Sequence, residues 1–109
     1  RREQKVLRVE YAKALLSRIL PQESLSKPVR ELSGGMCRRV AIARAVASDS
    51  QLLIMDEPFT GLDAATKQTV VDFILQERRQ RLTIIVTHQE EDARALGASV
   101  VLLRQSAND

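Results

Sequence analysis

The fold follows from a short apolar run that ends in two acids. Residues 52–58 read Leu-Leu-Ile-Met-Asp-Glu-Pro. The run is short and its polar end is abrupt, which favours a buried strand over Gln51–Met55 rather than a helix. The end of such a strand lies at the carboxyl edge of a sheet, where α/β proteins bind ligands. Asp56 there can hold Mg²⁺ and Glu57 can orient or deprotonate a water, but a simple Asp-Glu-Pro turn is the alternative interpretation.

A second run, Leu82-Thr83-Ile84-Ile85-Val86, is rich in β-branched residues and predicts another strand. His88 follows this strand almost directly. Because parallel strands end at the same edge, we expect His88 to reach the same ligand as Asp56 and Glu57. A purely structural hydrogen-bonding role is the alternative for a single histidine. A third strand is predicted over Ser99–Leu103.

Helices are predicted between and after these strands. Asp63 ends the turn that begins at Thr60 and is the expected cap of a helix running to about Gln80. The residues predicted to face inward from this helix are Val70, Val71, Ile74 and Leu75. A short helix after His88 carries acids in its first turn, where the helix dipole favours them, and ends at Gly97. Alternating helices and buried strands predict an α/β architecture with a parallel sheet.

The first half of the chain is predicted to be helical. A first helix runs from about Glu3 to Leu20, and Pro21 ends it. Its predicted apolar stripe consists of Val6, Val9, Ala12, Leu16 and Ile19. A second helix includes the run Arg38–Ala47 and is capped by Ser33.

Ser33, Gly34 and Gly35 precede the second helix. Backbone amides at a helix N-terminus, with glycines that allow close approach and an added hydroxyl, can form an anion site. A serine-capped helix after a Gly-Gly turn is the alternative, and these residues alone do not decide between the two.

Composition excludes several classes of protein. Of the 109 residues, 44% are apolar, which is enough for a core, whereas an aromatic content of 3% argues against stacking on single-stranded nucleic acid. The net charge of +3 combines +6 over residues 1–50 with −3 over residues 51–109. A basic half could meet an anionic partner, but scattered charges of this kind are more often a solvated surface. Cys37 is the only cysteine, which fits a reducing compartment. The apolar runs are too short to span a bilayer, so a cytoplasmic location without a membrane span is expected.

Four short motifs occur in order along the chain. They are Leu32-Ser33-Gly34-Gly35, the run at residues 52–58, Gly61-Leu62-Asp63 and Thr87-His88. Together they closely resemble the ABC ATPase family, in which these segments are the signature motif, the Walker B strand, the D-loop and the H-loop. The resemblance extends from about Leu32 to Val101, and the preceding helix resembles part of the family's helical subdomain.

The resemblance implies a partial P-loop NTPase (RecA-like) parallel sheet. Residues 1–48 would belong to the helical subdomain, and residues 49–109 to the C-terminal part of the catalytic core. It further implies that Asp56 holds Mg²⁺ through water, that Glu57 is the general base or orients the attacking water, and that His88 contacts the γ-phosphate of ATP.

The same resemblance assigns other residues to a dimer. Ser33, Gly34 and Gly35 would bind the γ-phosphate of an ATP held mainly by a second nucleotide-binding subunit, and Asp63 would couple the two sites. Phosphoryl transfer needs positioning and charge neutralisation more than covalent chemistry, so dividing these donors between subunits makes physical sense.

One family motif is missing from these residues. None of the four glycines is followed by lysine, so the 109 residues contain no Walker A motif. The Gln-containing loop and the adenine-stacking aromatic residue are not identifiable either, and Tyr11 is a poor substitute. The resemblance places all three upstream of residue 1. The 109-residue chain is therefore expected to expose sheet edges and apolar surface, to be marginally stable or to associate, and to be inactive.

The resemblance predicts the ATP-hydrolysing subunit of a bacterial ABC importer. Met36 and the run Asp56–Asp63 are most similar to the group that imports nitrate, sulfonates and taurine. The implied partners are a second copy and a membrane permease, without nucleic acid, on the inner face of the cell membrane. An ABC ATPase that acts on DNA or the ribosome is the alternative. A nucleic-acid-binding module, whose binding would weaken steeply with salt, is a more distant one.

Overall fold

A computed structural model describes residues 2–97, 99 and 101, and for residues 2–7 and 29 it describes the backbone only. The helices and strands, in chain order, are α1 (Arg2–Ile19), α2 (Gly34–Ala47), β1 (Leu52–Asp56), α3 (Ala64–Glu77), β2 (Leu82–Val86) and α4 (Glu90–Ala95). Two short 3-10 helices, Gln22–Ser26 and Val29–Glu31, connect α1 to α2. Most of the strand predicted over Ser99–Leu103 lies outside the described residues.

Helix α1 has nearly the predicted bounds and ends just before Pro21. Its predicted apolar stripe is wrong in part, because Val9 is 45% exposed and Ala12 is also exposed. Ile19 is buried and Leu16 packs against the core as predicted, and Leu15, which the stripe did not include, is buried in the same core. The neighbouring helices pack on the last turns of α1, so Val9 and Ala12 remain in solvent.

Helix α2 begins where the sequence predicts. The Ser33 hydroxyl accepts a hydrogen bond from the backbone N–H of Met36 at 3.1 Å, which satisfies one of the free donors at the helix start. The helix buries Ile42, Ala43 and Val46. It thereby covers one side of the core that α1 and α3 share.

Helix α3 is capped by Asp63, whose Oδ1 accepts from the backbone N–H of Thr66 at 2.8 Å. It ends at Glu77 rather than near Gln80, because Arg79 and Gln80 adopt positive φ angles of 51° and 65° that a helix cannot contain.

The inward face of α3 differs from the predicted one at two positions. Val70, Val71 and Ile74 are buried as predicted, whereas Leu75 is 40% exposed and Phe73 is buried in its place. The Arg18 guanidinium of α1 lies 4.8 Å from the centre of the Phe73 ring. Packing against α1 therefore rotates the buried face toward Phe73.

Arg81 ties the C-terminal ends of α2 and α3 together. Its guanidinium donates to the carbonyl oxygens of Val46 and Ser48 at the end of α2, at 2.8 and 2.9 Å. It also donates to the Glu77 carbonyl at the end of α3, at 2.8 Å. These carbonyls have no partner within their helices, so a cation is favoured there.

Strands β1 and β2 pair in parallel, with Leu52 opposite Leu82 and Asp56 opposite Val86. The predicted parallel α/β architecture is confirmed, and α3 forms the crossover. Full burial of β1 was not observed, because its residues alternate between buried and exposed. The exposed face of the pair is apolar and consists of Leu52, Ile54, Leu82, Ile84 and Val86, which are 42–67% exposed. None of the helices that the structure describes has both the length and the apolar character needed to cross a membrane.

Candidate functional site

The parallel register brings the polar ends of the two strands together. Asp56 is the last residue of β1 and lies opposite Val86, the last residue of β2. The backbone N–H of Glu57 then donates to the Val86 carbonyl at 2.7 Å, which extends the strand pairing by one residue. Glu57 and His88 consequently leave the sheet at the same edge.

Glu57 and His88 are in direct contact. The backbone N–H of His88 donates to Glu57 Oε1 at 3.1 Å, and the His88 Nε2 atom lies 3.4 Å from the same oxygen. The second carboxylate oxygen, Oε2, accepts from the Thr60 hydroxyl at 3.3 Å. The contacts to both oxygens fix the orientation of the carboxylate. The His88 side chain is 93% exposed, so its ring remains open to a ligand.

The backbone of Glu57 has an unusual conformation. Its φ angle is 48°, in the left-handed region that residues other than glycine seldom adopt. Such a conformation costs about 1–3 kcal/mol and persists only where the surrounding contacts hold it, which is common at functional sites. The hydrogen bonds of Glu57 to Val86, Thr60 and His88 supply that restraint. The sequence gives no direct signal for this angle.

Asp56 lies exposed beside this pair. Within the part of the chain whose side chains are described, no group of three or more His, Cys, Asp or Glu side chains could enclose a metal ion. Mg²⁺ is commonly bound through one or two carboxylates, with waters and phosphate oxygens as the other ligands. An exposed single carboxylate at this edge fits such a metal, whereas a zinc-type cage is not formed by the described side chains.

An open cleft of about 600 Å³ adjoins Glu57 and His88. Phe59, Thr60 and Gln89 contribute to its walls. A carboxylate that faces a cleft can accept a proton from water, and an imidazole N–H can donate to an anion. The edge therefore combines a base, a donor and an exposed carboxylate around one space.

The start of α2 lies against the turn that follows Glu57. A Cβ atom placed on Gly35 would lie 3.6 Å from Leu62 Cδ2, and the Arg38 guanidinium donates to the Thr60 carbonyl at 3.3 Å. Ser33 and Gly34 are exposed. The contacts described for residues 33–35 thus run within α2 and to the turn, not to Glu57 or His88.

Asp63 is exposed at the end of the same turn and caps α3. The hydrogen bond from the Thr66 backbone N–H is the main reason that the pKa of Asp63 lies below its ordinary value. Gly61 permits this turn because its φ angle is 79°. The structure therefore gives Asp63 a capping function, and its carboxylate is ionised at neutral pH.

Sequence reasoning missed one ion pair that lines the cleft, between the buried Asp92 and the partly exposed Lys67. Asp92 was predicted only to complement the dipole of α4, but it is 3% exposed and pairs with the Lys67 ammonium. Its other oxygen accepts from the Thr87 hydroxyl at 3.2 Å. Nothing in the local sequence connects Lys67 on α3 with Asp92 on α4, so the signal exists only in the folded chain.

Comparisons with known proteins identify the family of the chain. A family model described as "ABC transporter" matches residues 3–60, which is more than half of the chain. The aliphatic sulfonates import ATP-binding protein SsuB of Corynebacterium glutamicum is 42% identical over 101 residues, covering 90% of this chain and 41% of that protein. The energy-coupling factor transporter ATP-binding protein EcfA2 of Bacillus subtilis is 40% identical over 88 residues, covering 79% of this chain and 32% of that protein.

A solved structure has a similar fold. The ATP-binding cassette MJ0796, in a dimeric post-hydrolysis state bound to ADP and Pi, matches with a TM-score of 0.68 and 28% identity, over 85% of this chain and 40% of that one. The chain thus spans about a third to two fifths of the length of these relatives. The resemblance predicted from four short motifs is confirmed: the chain belongs to the ABC transporter family of ATP-binding proteins.

Proposed function

We propose that these residues form part of the ATP-hydrolysing subunit of an ABC transporter, with residues 1–48 in its helical subdomain and 49–109 in its catalytic core. The contact between Glu57 and His88 at the shared end of β1 and β2 carries the proposal. It supplies a base and an N–H donor within one hydrogen-bonding distance, where α/β sheets bind ligands.

Glu57 and His88 have different tasks in this proposal. Glu57 orients the attacking water and accepts its proton, because its carboxylate is already fixed by Thr60 and by the His88 backbone. His88 donates from its ring to a γ-phosphate oxygen and so stabilises developing negative charge. Asp56 would hold Mg²⁺ through water, and the metal would neutralise phosphate charge.

Ser33, Gly34 and Gly35 would bind the γ-phosphate of ATP on a second copy of the subunit. They stand at the start of a 14-residue helix, where free backbone N–H groups and the helix dipole favour an anion. Asp63, on the turn that contacts this helix start, would couple the two sites. The dimeric state of the similar cassette supports a dimer here.

The cargo is proposed from the relatives alone. A relative that imports aliphatic sulfonates supports an importer, in agreement with the group indicated by Met36 and the run Asp56–Asp63. A membrane permease would then be the second partner. The subunit would lie on the cytoplasmic face of the membrane without spanning it.

The test is ATP hydrolysis by the full-length protein that carries this sequence. Glu57→Gln should lower kcat on the order of 100-fold or more, because the amide cannot accept the proton of the attacking water. Glu23→Gln, an exposed change on a 3-10 helix away from the site, is the matched control. Equal turnover by the wild type and Glu57→Gln would contradict the proposal.

A further inference from the structure

The segment that carries His88 is held by an ion pair between Lys67 and Asp92, two residues that line the same cleft. Asp92 is only 3% exposed, and its two oxygens contact the Lys67 ammonium and the Thr87 hydroxyl. The Thr87 hydroxyl also accepts from the backbone N–H of Gln89 at 3.0 Å. These contacts place the residues on both sides of His88 in one hydrogen-bonded unit with α3 and α4.

This unit determines where His88 lies. The His88 side chain is 93% exposed, so packing does little to fix its ring. Its position depends on the backbone of Thr87 and Gln89, which Asp92 holds through the Thr87 hydroxyl and which Lys67 supports through Asp92. The Lys67 ammonium lies 5.9 Å from the centre of the Phe59 ring, which gives the lysine a second contact near the cleft.

An ion pair with one buried partner is seldom needed for stability. Burying the Asp92 carboxylate costs free energy that its attraction to the partly exposed Lys67 only partly returns, so an apolar pair of similar size is often as stable. Loss of one partner, by contrast, leaves an uncompensated charge and disturbs whatever that charge orders. Because the pair lies close to Glu57 and His88, the segment that it orders is the one that carries His88.

We propose that Lys67 and Asp92 are positioning residues that set the distance of His88 from Glu57 and from the phosphate. The inference rests on the proposed function and adds to it two residues that line the cleft beside Glu57 and His88 and that act through the His88 backbone. Their effect is transmitted through Thr87 to the backbone N–H of His88, which donates to Glu57 Oε1 at 3.1 Å.

Two measurements on the full-length protein test the proposal. Lys67→Met should lower kcat for ATP hydrolysis on the order of 10- to 100-fold and change KM less than about twofold, because misplacement affects the transition state more than binding. Hydrogen exchange of the His88 amide should become faster by about tenfold or more as its bond to Glu57 weakens. Lys67→Arg should restore most of both values, since it keeps the charge.

Matched variants separate positioning from general destabilisation. Arg94→Met removes an exposed cation that pairs with Glu90 on α4 and should change neither measurement. Asp92→Asn keeps the size of the buried side chain and an oxygen for Thr87. It serves as the second test if Lys67→Met fails to fold, and it should move kcat and exchange in the same direction.

Three outcomes would overturn the inference. One is unchanged kcat in a folded Lys67→Met or Asp92→Asn protein, another is a loss of kcat without faster exchange at His88, and the third is a change confined to KM. Failure of the proposed function is distinguishable, because it requires that the wild type hydrolyse no ATP or that Glu57→Gln retain full activity. The exchange rate is measured without ATP and still decides whether the pair holds the His88 backbone.

Discussion

Replacing Ile74 by alanine should destabilise the chain far more than replacing its neighbour Leu75. Ile74 is fully buried between α3 and the rest of the core, whereas Leu75 is 40% exposed. The substitution at Ile74 removes three carbons, which at about 0.8 kcal/mol each is about 2.4 kcal/mol. The cavity left behind raises the expected loss to about 3–4 kcal/mol.

The decrease in unfolding free energy for Leu75→Ala should stay below about 1 kcal/mol, because less apolar area is buried at this position. Alanine also has a higher helix propensity than leucine. Urea unfolding of the 109-residue chain, followed by circular dichroism at the helix band, measures the unfolding free energy of the wild type and of both variants. Because the 109-residue chain is expected to be only marginally stable, Ile74→Ala should either shift the urea midpoint strongly or leave the chain unfolded. Equal shifts for the two variants would refute the assigned inward face of α3.

Three further results are expected. The purified 109-residue chain should hydrolyse no ATP, because it contains no Gly-Lys pair for the phosphates, and turnover in a coupled phosphate assay would contradict this. The capping bond lowers the folded pKa of Asp63 below 3.8, so its stabilisation is complete above that pH and is lost as the pH falls through the folded value. The stability of Asp63→Asn should therefore fall less steeply in acid than that of the wild type. Ile54 is 61% exposed on the apolar sheet face, so Ile54→Lys should reduce self-association of the chain in sedimentation velocity. An unchanged distribution of sedimentation coefficients would contradict self-association through that face.

The features that sequence predicts well depend on residues close together in the chain. Strand β2 has the predicted bounds, Leu82–Val86, because its β-branched run is unbroken. Ser33 and Asp63 cap their helices as predicted, since a cap needs only an acceptor three residues before a free N–H.

The inward faces of the helices were harder to predict. Leu75 follows the helical period as well as Val71 does, yet only Val71 is buried. Leu15 likewise replaces Ala12 on the buried side of α1. Periodicity identifies a set of candidate faces, and the choice among them depends on which neighbouring helix packs there and how far along it reaches.

The candidate site likewise contains features that the sequence predicts and features that it does not. The common edge of Glu57 and His88 could be predicted, because parallel strands that end in polar residues bring those residues to one side. The pairing of Lys67 with Asp92 could not, because the two stand on different helices and no local rule relates them. The left-handed φ of Glu57 was equally inaccessible, since it depends on hydrogen bonds that exist only once β2 is in place.

One residue connects the start of α2 with Glu57. The Thr60 hydroxyl donates to the Glu57 carboxylate, and the Thr60 carbonyl accepts from Arg38 on α2. A displacement of the α2 start therefore reaches Glu57 through a single turn residue. The far end of that turn is held, because the Asp63 side chain caps α3. Thr60 thus contacts both Arg38 of α2 and the carboxylate that faces the cleft.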